Sequence, residues 1–262
     1  MDFEKEFGLL WDIDGVVADS PHEQSWRDVA ELPEWGIPGL DSRFYLDHVA
    51  SRPRPEGANN ILELLGGYKK LGADIDEKKK QLLEKYADQK NKIIVDLIAK
   101  GEFGVFDSSV LLLVEAKKRG MKLGAASASK NANSMLTKIR VKDIFEKNKT
   151  EAPGIIDDNT MVYDLFDTNF CGKTVPGGKA ELFELAAKGI TEMTGGKVKK
   201  FIVFEDGTSG IEAGKKNGFF GVGIIRIGTR EDFVKAGADI IVNDLSETGL
   251  DAIKEEIIKK AG

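Results

Sequence analysis

The chain has 262 residues, enough for one large domain or a core with an insert, and its 41% hydrophobic and 31% charged content is that of an ordinary globular protein rather than a disordered one. With 38 basic against 44 acidic residues the formal charge is −6, so no global basic field exists to gather nucleic acid or an anionic membrane. No apolar run reaches the ~18 residues that span a bilayer, and a single cysteine, Cys171, excludes an internal disulfide and a CxxC metal knuckle. The lysine clusters at 78–80 and 197–200 read as solvated faces. The N-terminal segment lacks the pattern of a secretory leader. The expected location is the cytoplasm and the expected state a monomer or weak dimer.

Gly8–Trp11 is a short apolar run that ends in Asp12 and a Gly15 turn, the pattern of a buried strand. From Ser20 to about Lys100 the pattern is helical, with long charged stretches and no strand. The remainder alternates. A helix over Val110–Arg119, closed by Gly120, precedes a buried strand over Met121–Ala126 and a helix over Asn131–Ile139. Residues 146–178 fit neither period and are expected to hold an extra strand pair or a flap. Ala180–Ala187 reads as helix, Phe201–Phe204 as strand, and Gly210–Lys216 as a helix ended by Gly218. Phe220–Ile225 is then strand, Phe233–Ala236 helix, Asp239–Val242 strand and Leu250–Lys260 a terminal helix. Strands alternating with helices predict an α/β fold, a doubly wound parallel sheet of Rossmann-like type. The first strand stands far from the others, so the predicted organisation is a core of residues 1–18 and 102–262 with an inserted α-helical cap over 19–101.

Ligands of open α/β sheets bind beyond the carboxyl ends of the strands. Four polar clusters fall at or near such ends: Asp12 with Asp14, Ser127 with Ser129, Lys130 and Asn131, Lys173, and Glu205 with Asp206. Phosphoryl transfer calls for such a set. A carboxylate attacks phosphorus. A hard cation with oxygen ligands offsets the phosphoryl charge, and a hydroxyl and an ammonium complete the cradle. Singly each has a plainer reading: Asp and Gly favour turns, Ser and Asn cap helices, and Lys173 is one lysine among many. No G-x-G-x-x-G follows the first strand, which argues against a dinucleotide-dependent oxidoreductase.

Leu9-Leu10-Trp11-Asp12-Ile13-Asp14-Gly15-Val16-Val17-Ala18-Asp19-Ser20 resembles the opening motif of the haloacid dehalogenase superfamily, and Ser127, Lys173 and Glu205-Asp206 resemble its later motifs in order. The resemblance implies Asp12 as nucleophile and Asp14 as general acid/base. It implies Mg²⁺ held by Asp12, Asp206 and the Asp14 backbone carbonyl with Glu205 nearby, and Ser127 and Lys173 on the phosphoryl oxygens. Within the superfamily Ala126-Ser127-Ala128-Ser129-Lys130-Asn131 is most similar to the beta-phosphoglucomutases and related sugar-phosphate phosphatases. On that likeness His22 assists Asp14, Arg52 of the Ser51-Arg52 pair grips a second phosphate, and Lys90 with Asn91 faces the substrate from the cap. Ser129, Lys130 and Asn131 join them as substrate-binding candidates.

Three departures stand out. The Asp19-to-His22 spacing is about two residues short, the 146–178 segment is long, and Lys179 rivals Lys173 as the third-motif lysine. Arg54 likewise rivals Arg52. The implied substrate is a small phosphorylated metabolite, a sugar phosphate. Two activities share these motifs: a mutase moving phosphate between the 1- and 6-positions of a β-sugar, and a phosphatase releasing it to water. A non-catalytic sensor is the reading from a different class, and the intact carboxylate set argues against it.

Overall fold

The computed structural model describes residues 2–50 and 52–261. It divides into two compact units, Met1–Asp19 with Gly104–Gly262, and Ser20–Phe103.

The first unit is built on a six-stranded sheet. Its strands are β1 (Phe7–Trp11), β4 (Lys122–Ala125), β5 (Thr168–Asn169), β6 (Lys200–Glu205), β7 (Phe220–Ile224) and β8 (Ile240–Val242), in the order β5-β4-β1-β6-β7-β8. Every pairing is parallel, as expected of the doubly wound class. All five residues of β1 are buried, because it lies at the centre with helices on both faces. The chain leaves β1 to one side for β4 and reaches β6 on the other, which opens the crevice at the carboxyl ends where such folds place their chemistry. Helix Gly178–Met193 covers one face: Leu182, Phe183, Ala186 and Ile190 pack with Leu10 and Val203. Each fully buried Leu or Phe contributes about 1.5–3 kcal/mol by leaving water.

A second, two-stranded sheet marks where the chain leaves this unit and re-enters it. In it β2 (Ala18–Asp19) pairs antiparallel with β3 (Gly104–Val105), Ala18 opposite Val105 and Asp19 opposite Gly104.

The second unit is helical: His22–Glu31, Ser42–His48, Arg54–Leu64, Gly67–Lys70 and Asp76–Lys100. Its core gathers Trp26, Trp35, Ile61, Leu62 and Tyr86. The Trp35 ring meets Tyr86 edge-on at 4.8 Å, a favoured aromatic geometry. No helix among the described residues is long and apolar enough to cross a membrane.

Two expected elements differ. The helix expected over Asn131–Ile139 is confined to Ala132–Leu136. There Thr137 Oγ1 donates to the carbonyls of Asn133 and Ser134, and such local side-chain bonds compete with helix continuation. A further helix, Val141–Lys147, follows, burying Val141, Ile144 and Phe145. Residues 146–178 hold no strand pair but a single 3₁₀ turn (Val162–Leu165) and the two-residue edge strand β5. Asp167 ties this segment to the sheet by accepting from the Leu123 amide at 2.9 Å.

Candidate active site

Asp12 is the first residue beyond β1. Its amide donates to the Phe204 carbonyl of β6 at 3.0 Å, and on the other side the Ala126 amide donates to the Trp11 carbonyl at 2.9 Å. The two neighbouring strands thus hold the carboxylate at the middle of the carboxyl edge. Behind it the chain turns sharply: the amides of Val16, Val17 and Ala18 all converge on the Ile13 carbonyl. Asp14 lies half-buried within this turn.

Glu205 ends β6 and Asp206 follows it. Asp12, Glu205 and Asp206 each present an oxygen, all within 4.8 Å of one another. Glycines make this crowding possible. Gly15 sits at φ 82°, and a Cβ there would lie 1.9 Å from Asp206 Oδ2; at Gly210 a Cβ would lie 2.1 Å from Glu205 Cδ. Any side chain at either position must push a carboxylate of the cluster aside.

Lys179, in the first turn of helix Gly178–Met193, supplies the counter-charge. Its Nζ stands 2.7 Å from Asp12 Oδ2 and 3.1 Å from Glu205 Oε2. The Glu205 contact is one of charge, since no aligned hydrogen bond reaches that oxygen. Burial alone would lower the pKa of the ammonium, but the Asp12 and Glu205 charges outweigh it and hold Lys179 above its ordinary value. The carboxyl groups respond in kind. Burial raises Glu205 well above the usual range, with the Asp12 charge adding to it. Burial, then Asp12 and more weakly Asp14, push Asp206 up to about 7.

One lysine does not balance this cluster. Asp12 Oδ1 is buried with no hydrogen-bond partner, a state that costs free energy unless something positive faces it. Three convergent carboxylates with an unsatisfied oxygen suit a hard divalent cation with oxygen ligands.

Ser127, 2% exposed, stands two residues beyond β4, beside the strand that carries Asp12. Its Oγ accepts from the Ser129 amide at 3.3 Å, and its carbonyl accepts from the Gly172 amide at 2.8 Å. Ser129 Oγ in turn accepts from the Asn131 amide at 3.3 Å, while Lys130 is exposed. Cys171, buried in this neighbourhood, has its thiol pushed up to about 12, chiefly by burial. It is protonated at neutral pH and unsuited to be a nucleophile.

Lys173 is not at the carboxylates. It is exposed, with Nζ 4.2 Å from the Phe170 ring centroid. The Gly177-Gly178 turn, with Gly178 at φ 59°, starts the helix that brings Lys179 to the site instead. The remaining sequence candidates lie in the helical unit. Lys90 is 3% exposed, with Nζ 2.8 Å from His22 Nδ1 and 5.1 Å from the Trp26 ring centroid. Arg52 is exposed; its Nη1 donates to Glu56 Oε1 at 2.8 Å and its Nη2 to the Asp47 carbonyl at 3.5 Å. Ser51 lies outside the described residues.

A further group at the carboxyl edge carried no sequence motif. Arg226, two residues beyond β7, donates from Nε to the Gly15 carbonyl at 2.9 Å. Its only signal in the sequence was its place at a strand end.

Comparison with known proteins points the same way. A family model described as a haloacid dehalogenase-like hydrolase matches residues 8–218. The chain is 27% identical over 251 residues to the beta-phosphoglucomutase of Bacillus subtilis, a match covering 95% of this chain and 94% of that one. The crystal structure of an archaeal beta-phosphoglucomutase from the hyperthermophilic Pyrococcus sp. strain ST 04 is similar with a TM-score of 0.78 at 33% identity, covering 96% of this chain and 98% of that one. A shorter match, 35% identical over 79 residues, is to 2-deoxyglucose-6-phosphate phosphatase 2 of Saccharomyces cerevisiae and covers 30% of this chain and 32% of that one.

Proposed function

The chain belongs to the haloacid dehalogenase-like hydrolase family, and from that premise we propose that it is a Mg²⁺-dependent phosphoryl-transfer enzyme acting on a sugar phosphate through a phosphorylated Asp12. The observation that carries this reading is the buried Asp12 carboxylate, held by Lys179 on one oxygen and unsatisfied on the other, among Glu205 and Asp206.

In the proposed reaction Asp12 attacks the phosphorus and the sugar oxygen departs, taking a proton from Asp14. Lys179 and the Ser127 hydroxyl face the phosphoryl oxygens, where positive and donor groups count most in a water-poor setting. Asp12, Asp206, Glu205 and the Asp14 backbone carbonyl are the groups that would hold Mg²⁺. When bound, Mg²⁺ supplies charge neutralisation for the anionic phosphoryl group as the anionic nucleophile approaches. Asp14, now a carboxylate, then takes a proton from the second nucleophile, which attacks phosphorus and frees Asp12.

If that nucleophile is the other hydroxyl of the same sugar, the enzyme is a mutase converting a β-sugar 1-phosphate to the 6-phosphate through a bisphosphate. The full-length likeness to beta-phosphoglucomutases supports this form. We read the helical unit as the cap that recognises the sugar, with Arg52, Lys90 and His22 as its polar groups. If the nucleophile is water, the enzyme is a phosphatase, a reading favoured by the shorter match to a sugar-phosphate phosphatase. Incubation with β-glucose 1-phosphate, Mg²⁺ and a trace of the bisphosphate separates them. Glucose 6-phosphate forming faster than free phosphate supports the mutase; the reverse supports the hydrolase, and no turnover of either kind removes the reading.

A further inference from the structure

Arg226 has the geometry of a clamp rather than of a surface arginine. Its Nε donates to the Gly15 carbonyl at 2.9 Å and its Nη1 to the Asn243 carbonyl at 3.0 Å. The guanidinium stacks 3.7 Å from the centroid of the Phe106 ring. Its Nη2 is buried without a hydrogen-bond partner, 3.9 Å from Asp244 Oδ2. One side chain therefore spans the turn after β1, the end of β8 and the chain that follows β3. Planar stacking with a rigid fork of donors is a role that lysine cannot fill.

The Gly15 peptide is a sensitive place to grip. Gly15 adopts a left-handed φ of 82°, and its Cα abuts Asp206 so closely that a Cβ would lie 1.9 Å from Oδ2. The turn is tied further along as well, by Ser109 Oγ donating to the Val16 carbonyl at 2.5 Å and the Phe106 amide donating to the Val17 carbonyl at 3.1 Å. Arg226 is the tie nearest Asp14 among these. Without it, the Gly15 and Val16 amides keep their bonds to the Ala18 and Ile13 carbonyls, but the Gly15 carbonyl loses its tie to the chain beyond β7, and both the Asp14 side chain before it and the Asp206 carboxylate against it lose part of their reference.

We propose that Arg226 is a positioning residue that acts through the Gly15 carbonyl to hold the Asp14-Gly15 turn in register with Asp12 and Asp206. The catalytic half of this inference rests on the phosphoryl-transfer reading; the structural half does not. Misplacing a reacting group by about 1 Å costs up to roughly 100-fold in rate. Arg226→Ala is therefore expected to lower kcat by roughly 10- to 100-fold on a generic phosphate monoester such as p-nitrophenyl phosphate, with KM changed less than about 3-fold. Added ethylguanidinium should restore part of the loss, which a merely structural defect would not allow. Arg226→Gln, which keeps one donor for the Gly15 carbonyl without the charge, should fall between parent and Arg226→Ala and serves where the alanine variant folds poorly.

Hydrogen exchange of metal-free protein gives a readout independent of activity. Amides of residues 13–18 should exchange faster in either variant, while those of β6 stay as in the parent. Parent-like kcat, a loss that follows only the unfolded fraction with no rescue, or unchanged exchange over residues 13–18 would overturn the proposal. Should the parent itself lack phosphoryl-transfer activity, the proposed function fails, and the exchange comparison still decides whether Arg226 holds the turn.

Discussion

Lys179 Nζ lies 2.7 Å from Asp12 Oδ2, and that contact joins the first turn of one helix to the end of the central strand, two segments far apart in sequence. The partner sits where a phosphoryl group on Asp12 would need a positive charge. Lys179→Met should lower kcat by roughly 10²–10³-fold, the scale seen when a preorganised stabiliser of transition-state charge is removed. Lys173→Met, which alters an exposed side chain lying on Phe170, should leave kcat within about 2-fold, since surface changes of this kind are energetically small. Steady-state kinetics on both variants checks the assignment; a larger loss for Lys173→Met would reverse it.

The metal dependence should carry a pH signature. In the metal-free protein Asp206 is raised to about 7 by burial and by the Asp12 charge, whereas an unfolded Asp titrates near 3.9. Between about pH 4 and pH 7 the folded form holds a proton that the unfolded form has released. Raising the pH through that window therefore removes stability from the metal-free protein. A cation at the carboxylates takes the place of the proton. The rise in Tm on adding Mg²⁺ should be larger at pH 8 than at pH 5.5, and Asp206→Ala should shrink it at both. Thermal melts with Mg²⁺ or EDTA test this, and a shift larger at the lower pH would contradict it. EDTA should also abolish turnover.

Gly210→Ala offers a test of packing. The added methyl would lie 2.1 Å from Glu205 Cδ, so the carboxylate or the helix Thr208–Lys216 has to move. Overpacking of this kind costs about 1–3 kcal/mol. The variant should unfold at lower denaturant concentration and need more Mg²⁺ for half-maximal activity. Parent-like values of both would mean that the site relaxes at no cost.

Arg52 separates the two forms of the reaction. A mutase has to recognise a second phosphate, and a guanidinium suits that task through bidentate hydrogen bonds. In the present structure the group is held by Glu56 and the Asp47 carbonyl. If the enzyme is a mutase, Arg52→Ala should slow isomerisation by about 2 kcal/mol or more, the low end for truncating a buried charge pair, with phosphate release little changed. Isomerisation and phosphate release measured side by side decide this; parent-like isomerisation in the variant would leave only the hydrolase.

The parallel sheet was readable because its central strands are short apolar runs stopped by polar residues of the candidate site: Trp11 by Asp12, Ala126 by Ser127, Phe204 by Glu205. What stayed hidden depends on contacts distant in sequence. Lys173 sits in the expected string, but the Gly177-Gly178 turn sets the helix start, and only that start aims Lys179 at Asp12. Helix Val141–Lys147 has just three apolar positions among charged neighbours, too few for its period to stand out. Residues 146–178 were rightly set apart as irregular, yet β5 is two residues long and exists through its pairing with β4. Arg226 follows a correctly read strand, but nothing local tells that it reaches back to Gly15.

The central claim is that Asp12 itself becomes phosphorylated, and trapping tests it most directly. Protein mixed with a ³²P-labelled sugar phosphate and Mg²⁺ is quenched in acid within milliseconds and reduced with borohydride, which converts an acyl phosphate to an alcohol. The peptides are then sequenced by mass. The account predicts acid-stable, base-labile label before reduction and homoserine at position 12 after it, with neither in Asp12→Asn. Label on any other residue, or turnover in Asp12→Asn at the parent rate, would contradict it.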